Sequence, residues 1–186
     1  MSQLYLALLH HPVLNRRGQT VTSAITSLDI HDIARSARTY GVAGVFVVHP
    51  VAEQRDFAAR LLDHWRLGYG REFDSRRREA LELVHIVAEL DDAIAAVANA
   101  AGRPPALVYT SARAPDGMSF EELRERMAAP GAPPIVILLG TGFGMAPAVK
   151  ERADLALAPI RGADPYNHLS VRAAAAIMLD RLRGAR

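Results

Sequence analysis

The feature that most constrains this chain is a stretch near its C-terminus, residues 136–182, in which strand-like and helix-like segments alternate around glycine-containing turns. The stretch has the pattern of a strand, a glycine turn, a helix, a strand, a loop and an alanine-rich helix. Two successive strands therefore end in loops that contain glycine, where backbone N–H and C=O groups are free to face a ligand. We expect these loops to bind a nucleotide-like molecule through the main chain.

The rest of the chain continues the same alternation of strands and helices. Apolar runs such as residues 45–48 and 135–139 are continuous, which is typical of strands buried on both faces of a parallel sheet. The sequence therefore predicts one α/β domain over residues 1–186, a mostly parallel sheet with helices on both faces. Strands are predicted at 5–9, 44–48, 84–88, 106–110, 135–139 and 155–159, and helices at 29–40, 51–66, 90–101, 119–128, 145–153 and 168–183.

Local signals support two of these helices. Asp29 gives the first one an acidic N-terminal turn, and Gly41 stands where a left-handed glycine commonly ends a helix. Ser119 and Glu122 have the spacing of a capping box at the start of a later helix. We expect the first helix to end at Gly41 and the later one to begin at Ser119.

Composition limits the possible chemistry. The 186 residues include no cysteine, which excludes a disulfide framework, a thiol nucleophile and a zinc ribbon. Lys150 is the one lysine, and an arginine-rich chain of net charge +2 permits RNA binding, although genome composition would give the same bias. The first apolar run is too short for a secretory leader and residues 173–179 are too few to cross a bilayer, so we expect a cytoplasmic protein without membrane contact.

The glycine turn after the fifth predicted strand is the first candidate site. Gly140, Thr141 and Gly142 allow a ligand to approach the backbone closely, although a tight structural turn would have the same sequence. A dinucleotide-binding site is disfavoured because the next strand ends without an acidic residue for a ribose. A phosphate-binding P-loop is excluded because the Gly-Lys-Ser/Thr sequence is missing.

The loop at residues 160–170, which enters the last helix, is the second candidate. Asn167 or Ser170 can cap that helix, and its free N–H groups would favour an anionic group such as a carboxylate. The four alanines at 173–176 permit another helix to approach, but helix propensity alone explains them equally well.

The polar segment that follows the first strand is the third candidate. It carries Arg16 and Arg17 and runs for about fifteen residues, longer than a compact domain usually tolerates without a function. The helix that follows carries Arg35 and Arg38, which share one face because they are three residues apart. An amphipathic helix normally turns such charges to water, so a solvated face and an RNA-binding face both remain open.

Three histidines, His10, His11 and His31, raise the alternative of a metal site. A helical pair of histidines four residues apart or a supporting group of carboxylates would favour such a site, and the sequence around these residues offers neither. We therefore predict that no metal is bound.

Three blocks of residues together resemble the SPOUT class of S-adenosylmethionine-dependent RNA methyltransferases. More specifically, they resemble small bacterial proteins related to the C-terminal half-knot of the tRNA guanine-N1 methyltransferases. The order and spacing of the blocks carry the resemblance, which extends from Tyr5 to Leu182. The blocks are residues 29–41, residues 138–142, and residues 157–162 together with 169–175.

The resemblance implies a trefoil knot, in which the last helix passes through a loop and S-adenosylmethionine binds in the knotted crevice. It also implies a homodimer whose first and last helices pack across a two-fold axis. The cofactor contacts that it implies fall on Thr110, Leu139, Gly140, Thr141, Gly142, Ile160, Gly162, His168, Leu169, Ser170 and Ala173.

The resemblance further implies methylation of a tRNA or rRNA nucleotide. Related ribose methyltransferases have asparagine at the position of Asp29 and glutamate at that of Gly142, so a ribose oxygen and a base nitrogen both remain open as acceptor. We expect Arg35 to orient the target and Asp29 or His31 to assist proton removal. The residues expected to hold the RNA backbone are Arg16, Arg17 and Arg38.

Two other functions remain open. The chain could bind S-adenosylmethionine or RNA as an accessory module without transferase activity, or it could be a different α/β enzyme acting on a nucleotide or small metabolite. Because no appended RNA-binding domain is recognisable, we also expect that a separate partner helps to select the substrate.

Overall fold

The structure, a computed structural model, describes residues 1–114 and 116–185. The strands within these residues are β1 (Leu4–Leu9), β2 (Val13–Leu14), β3 (Thr20–Val21), β4 (Gly44–Val48), β5 (Val84–Val87), β6 (Ala106–Thr110), β7 (Ile135–Gly140) and β8 (Leu155–Leu157). The helices are α1 (Ser27–Thr39), α2 (Ala52–Arg66), α3 (Gly70–Phe73), α4 (Ser75–Leu81), α5 (Leu90–Ala101), α6 (Phe120–Ala128), α7 (Pro147–Glu151) and α8 (Val171–Arg183).

Six of the strands form one sheet in the order β5-β4-β1-β7-β6-β8, and every pair of neighbours in it is parallel. The chain starts at the central strand β1, builds outwards through β4 and β5, and then returns to build the other half. Parallel strands place all their carboxyl ends at one edge, so the loops after β1, β6, β7 and β8 share that edge. The predicted mostly parallel α/β sheet is confirmed.

The sheet is buried on both faces, as its continuous apolar strands require. Along β1, Leu4, Leu6 and Leu8 enter a core with α1, α2, α4, α6 and α8. The alternate residues Ala7 and Leu9 enter a second core with α5 and α7. Successive residues of a strand point to opposite faces, so one apolar run supplies both cores. Helices on both faces are therefore confirmed.

Capping explains where several helices begin and end. Ser119 and Glu122 make the predicted capping box, and Gly41 adopts the left-handed conformation with φ +65° directly after the end of α1. The last helix begins three residues later than predicted, because Ser170 is its N-cap and accepts the backbone N–H of Ala173 at 3.3 Å. Leu169 therefore lies before the helix and not on it.

Other differences from the sequence prediction have local causes. Strand β8 ends at Leu157 and not at residue 159, since Pro159 lacks the N–H that would continue the ladder. Helix α7 covers only five residues and begins with Pro147, a favoured first helical residue. The sequence analysis missed α3, α4 and the β2–β3 hairpin because such short elements carry little periodic signal.

Candidate active site

The loops after β6, β7 and β8 meet at the carboxyl edge of the sheet around one cavity of about 480 Å³, called the crevice below. The loop before α8 closes one side, and Asp29 of α1 contributes to the wall. Nine residues predicted to contact the cofactor lie in its lining: Thr110, Leu139, Gly140, Thr141, Gly142, Ile160, His168, Leu169 and Ser170.

Two residues predicted to contact the cofactor lie outside this lining. Gly162 stands in an open part of the loop, where an added Cβ atom would meet nothing within 4 Å. Ala173 lines a neighbouring groove, and Ala174 takes its place in the crevice. Consecutive helical residues point about 100° apart, so an error of one position moves a side chain to another face. The cofactor contact of Ala173 stays a prediction, and the structure places this residue beside the crevice and not in its lining.

The glycine turn after β7 needs glycine for identifiable reasons. Gly142 has φ +62°, and a Cβ atom there would lie 3.0 Å from the carbonyl oxygen of Leu14. Gly144 has φ +108°, and its N–H donates to the carbonyl of Thr141 at 3.2 Å, which closes the turn. Since side chains are strained at these φ values, the glycines serve the turn itself as well as access by a ligand.

The polar segment after β1 is an ordered hairpin fastened to this turn. The N–H of Leu14 donates to Gly144 at 2.8 Å, and the N–H of Phe143 donates to the carbonyl of Leu14 at 3.0 Å. The tip of the hairpin carries Arg16 and Arg17, and both side chains are exposed. Two of the three arginines predicted to bind RNA therefore lie on a hairpin that is attached to the crevice wall.

A buried polar network lies behind the crevice wall. The hydroxyls of Thr141 and Ser23 share a short hydrogen bond, and the Ser23 hydroxyl lies 3.1 Å from Nδ1 of His10. His49 accepts the N–H of Val51 at its Nδ1, so its Nε2 carries the proton donated to the Ser23 carbonyl at 3.0 Å. Burial, reinforced by the nearby charge of His49, lowers the pKa of His10 to about 4. His10 is therefore a neutral imidazole at pH 7.

An ion pair joins the first and last helices at the edge of the crevice. Arg172 of α8 places one guanidinium nitrogen 3.1 Å from Oδ1 of Asp29 and another 3.4 Å from Oδ2 of Asp32. The hydroxyl of Thr26 donates to the second oxygen of Asp29 at 2.7 Å. The buried Asp29 carboxylate is thus held by a cation and a hydroxyl. The sequence analysis did not select Arg172, because no local pattern signals a contact between residues so far apart.

A second groove, of about 540 Å³, lies between α1 and α8. Arg35 lines this groove and is exposed, and it does not belong to the crevice lining. Ser170 and Arg172 border both cavities, so they form the wall that separates them. Arg35 therefore faces solvent on the far side of that wall from the predicted cofactor contacts.

The structure places His31 and Arg38 away from the crevice lining. His31 packs edge-on against Trp65, with ring centres 5.5 Å apart, and burial together with the charge of Arg77 lowers its pKa. Arg38 forms an ion pair with Glu79. His31 follows Asp29 by two residues, which is about 200° around a helix, so the two cannot serve one site of the same chain.

Two absences hold for the described parts of the chain. Across residues 1–114 and 116–185, no group of three or more histidine or acidic side chains is arranged to hold a metal ion. No helix in the same residues is long and apolar enough to cross a membrane. The ring of His10 instead lies 5.6 Å from that of His49, and His11 contacts the hydroxyl of Thr22 at 3.1 Å.

Comparison with known proteins agrees with this geometry. A tRNA (guanine-N(1)-)-methyltransferase of Oleidesulfovibrio alaskensis is 42% identical over 181 residues, covering 97% of this chain and 42% of the relative. A protein of Aquifex aeolicus is 37% identical over 180 residues, covering 96% of this chain and 87% of that protein. The chain thus spans about two-fifths of the length of the first relative, and nearly all of the second.

The fold is that of solved SpoU methyltransferases. The enzyme AviRb of Streptomyces viridochromogenes, crystallised with AdoMet, superimposes with a TM-score of 0.55 at 19% identity, over 97% of this chain and 56% of that one. The model of a family described as SAM-dependent RNA methyltransferases matches residues 3–184. With its parallel sheet, its crevice and this match over nearly the whole chain, the protein belongs to the family of SAM-dependent RNA methyltransferases.

Proposed function

We propose that this chain transfers a methyl group from S-adenosylmethionine to a nucleotide of tRNA or rRNA, with the donor bound in the crevice. The observation that carries the proposal is the meeting of three strand-end loops around one cavity, in a chain that belongs to this family. The cavity volume lies within the range of small-molecule sites, and its lining includes the glycines Gly140, Gly142 and Gly144, which have no side chain to cover the backbone. The crevice therefore fits a donor that is recognised through main-chain N–H and C=O groups.

Bound S-adenosylmethionine supplies an already activated methyl group, so the protein has mainly to align donor and acceptor. The acceptor must also lose a proton, which calls for a positioned base. We assign this role to Asp29 and not to His31, because only Asp29 lines the crevice. Its contacts with Arg172 and Thr26 hold the carboxylate in one orientation.

We further propose that Arg35 acts in the crevice of a second copy of the chain. Arg35 is exposed beside α8 and separated from its own crevice by Ser170 and Arg172. The small side chains of Ala173 and Ala176 in the same groove permit a second helix to pack closely. A homodimer with α1 and α8 across its two-fold axis would bring each Arg35 towards the partner subunit's crevice.

The predicted knot remains a proposal that local geometry supports. The segment before α6 pairs with β8 through a parallel bridge, in which the N–H of Met118 donates to Ala156 at 2.7 Å and Met118 accepts the N–H of Ala158 at 2.8 Å. Gly117 lies so close that an added Cβ atom would stand 2.4 Å from the backbone of Leu157. We propose that the loop between β6 and α6, fastened to β8 by this bridge, is the loop through which the tail that ends in α8 passes.

The substrate that we propose to test first is tRNA, because a relative at 42% identity is named for tRNA methylation. That relative is more than twice as long as this chain, and the match covers 42% of it. We propose that a separate cytoplasmic partner helps to select the RNA substrate. Residues 1–186 would then act as one catalytic domain. In it, Arg16 and Arg17 would hold the RNA backbone, whereas Arg38 already forms an ion pair with Glu79.

The same difference in length favours one alternative. In this alternative, the activity for which the relative is named resides in the part of the relative outside the match. The chain would then be an accessory module that binds S-adenosylmethionine or RNA without transferring a methyl group.

Calorimetric titration with S-adenosylmethionine, followed by transfer of a labelled methyl group to total RNA from a deletion strain, tests the proposal. We expect donor binding, labelled RNA and one modified nucleoside identified by mass mapping. The variant Arg35→Ala should abolish transfer with nearly unchanged donor affinity. Gly142→Val should lose donor binding, because valine is strained at φ +62° and approaches the Leu14 carbonyl.

The outcomes separate the two functions. Donor binding without labelled RNA in the presence of cell extract would support the accessory module. Absence of both would refute S-adenosylmethionine chemistry in this crevice. Wild-type turnover by Arg35→Ala would show that Arg35 takes no part in methyl transfer.

A further inference from the structure

Phe143 is a large apolar side chain that the fold leaves open to solvent. It is 53% exposed although it lines the crevice. A single exposed apolar side chain is common on a protein surface, but an exposed aromatic ring in the wall of a binding cavity offers a flat face to a ligand. Its neighbours in sequence give it no apolar cover, since both are glycines.

The backbone holds Phe143 in one position at the corner of the glycine turn. Gly142 and Phe143 are the two central residues of this turn, and glycine with positive φ at the first of them is typical of a type II′ turn. The N–H of Phe143 donates to the Leu14 carbonyl at 3.0 Å, and Gly144 accepts the N–H of Leu14 at 2.8 Å. The exposed ring therefore stands on a rigid support, which lowers the entropy lost when a ligand stacks on it.

Arginines lie in the crevice lining and in segments next to it. Arg16 follows Leu14 by two residues, so the chain between them spans at most about 7 Å. Arg113 lies in the crevice lining, and Arg161 follows a residue of that lining. Within the described parts of the chain, the guanidinium groups of Arg16, Arg17, Arg113 and Arg161 make no ion pair and no hydrogen bond. They are available to phosphate groups.

We propose that Phe143 is a stacking platform for one unpaired base of the RNA substrate at the mouth of the crevice. An exposed ring at a crevice that also carries unpartnered arginines combines the two contacts that hold single-stranded nucleic acid, base stacking and phosphate neutralisation. The proposal rests on the proposed function, and it adds that the target segment is single-stranded or unstacked when it binds. A base on Phe143 would stand beside the acceptor position, so stacking would position the acceptor without taking part in the chemistry.

The test compares Phe143→Ala, Phe143→Trp and the wild type in methylation of total RNA, with donor affinity measured by calorimetry. Loss of one stacked base should raise the KM for RNA about 5- to 150-fold. Donor affinity and the melting temperature should stay within error of the wild type, and tryptophan should restore the KM. Phe73→Ala, at a ring that is 72% exposed and outside the crevice lining, is the matched control and should leave the KM unchanged.

A second measurement does not depend on turnover. Ultraviolet irradiation of the protein with total RNA and S-adenosylmethionine should cross-link a peptide that contains Phe143. RNA that is methylated with an unchanged KM in Phe143→Ala would overturn the proposal and leave the proposed function standing. A loss of donor affinity that accounts for the whole effect would also overturn it, since the ring would then belong to the donor site. RNA that neither cross-links nor becomes methylated would refute both.

Discussion

At the scale of single residues, the buried histidine at the end of β1 shows how this chain supports its glycine turn. His10 is fully buried, and its Nδ1 meets the Ser23 hydroxyl that in turn bonds the hydroxyl of Thr141. Nε2 of His10 is buried without a hydrogen-bond partner among the described residues. A neutral imidazole can sit there at moderate cost, whereas a charged one would need solvation that the site lacks. The protonation of His10 is therefore coupled to folding.

We expect His10 to make the protein less stable in mild acid. Its folded pKa of about 4 lies below its ordinary value of 6.5, so the unfolded chain takes up the proton first as the pH falls. The neutral His10 therefore contributes to the free energy of unfolding above pH 6.5. This contribution is lost progressively as the pH falls to about 4, and the total loss is about 3 kcal/mol. Urea unfolding of the wild type and His10→Gln between pH 7 and pH 4.5 measures this loss.

The difference in unfolding free energy between the wild type and His10→Gln should become smaller as the pH falls from 7 to 4.5. His64→Gln, at an exposed side chain, is the control and should follow the wild type at every pH. If the unfolding free energies of the wild type and His10→Gln changed with pH in parallel, His10 would not be the group that couples stability to pH.

At the scale of elements, the wall between the two cavities depends on the contact between α1 and α8. Arg172 bridges Asp29 and Asp32 across that contact, and it borders the crevice as well as the groove. Asp29 and Arg172 are 143 positions apart. Each helix could be predicted from its own periodicity, but the pairing of their side chains arises only when both pack on the same sheet.

Removal of Arg172 should therefore destabilise the fold. Arg172→Ala leaves the carboxylate of Asp29 buried without its cation, and because the arginine is partly exposed we expect a loss of about 1–2 kcal/mol. Arg152→Ala breaks the exposed pair with Asp91 and is the matched control, with an expected loss below about 0.5 kcal/mol. Chemical denaturation compares the two, and equal losses would show that the Asp29 pair is an ordinary surface contact.

At the scale of the whole molecule, the proposed site is divided between two copies of the chain. The crevice, the hairpin arginines and Phe143 lie together in one chain, while Arg35 lies in the groove outside. A dimer across α1 and α8 would complete each site with an arginine from the partner subunit. Sedimentation at micromolar concentration should therefore give the mass of a dimer.

Complementation between two inactive variants tests this division directly. The Arg35→Ala subunit keeps an intact crevice, and the Gly142→Val subunit keeps Arg35. A mixed dimer therefore holds one complete site, formed by the crevice of the first subunit and Arg35 of the second. Refolding an equal mixture should restore about one quarter of the wild-type activity, since about half of the dimers are mixed and each has one of two sites. Each variant refolded alone is the control. An inactive mixture that nevertheless forms dimers would show that Arg35 does not act across the interface.

The pattern of residues along the chain was enough to predict the parallel sheet, the approximate bounds of its helices and the strand ends that carry the site. Those features follow from local periodicity, from capping residues such as Ser119 and from glycines that turns require. The attachment of the β2–β3 hairpin to the glycine turn, the partner of Asp29 and the separation of Arg35 from the crevice could not be predicted in this way. They depend on which distant segments pack against each other, and tertiary packing alone brings such segments together.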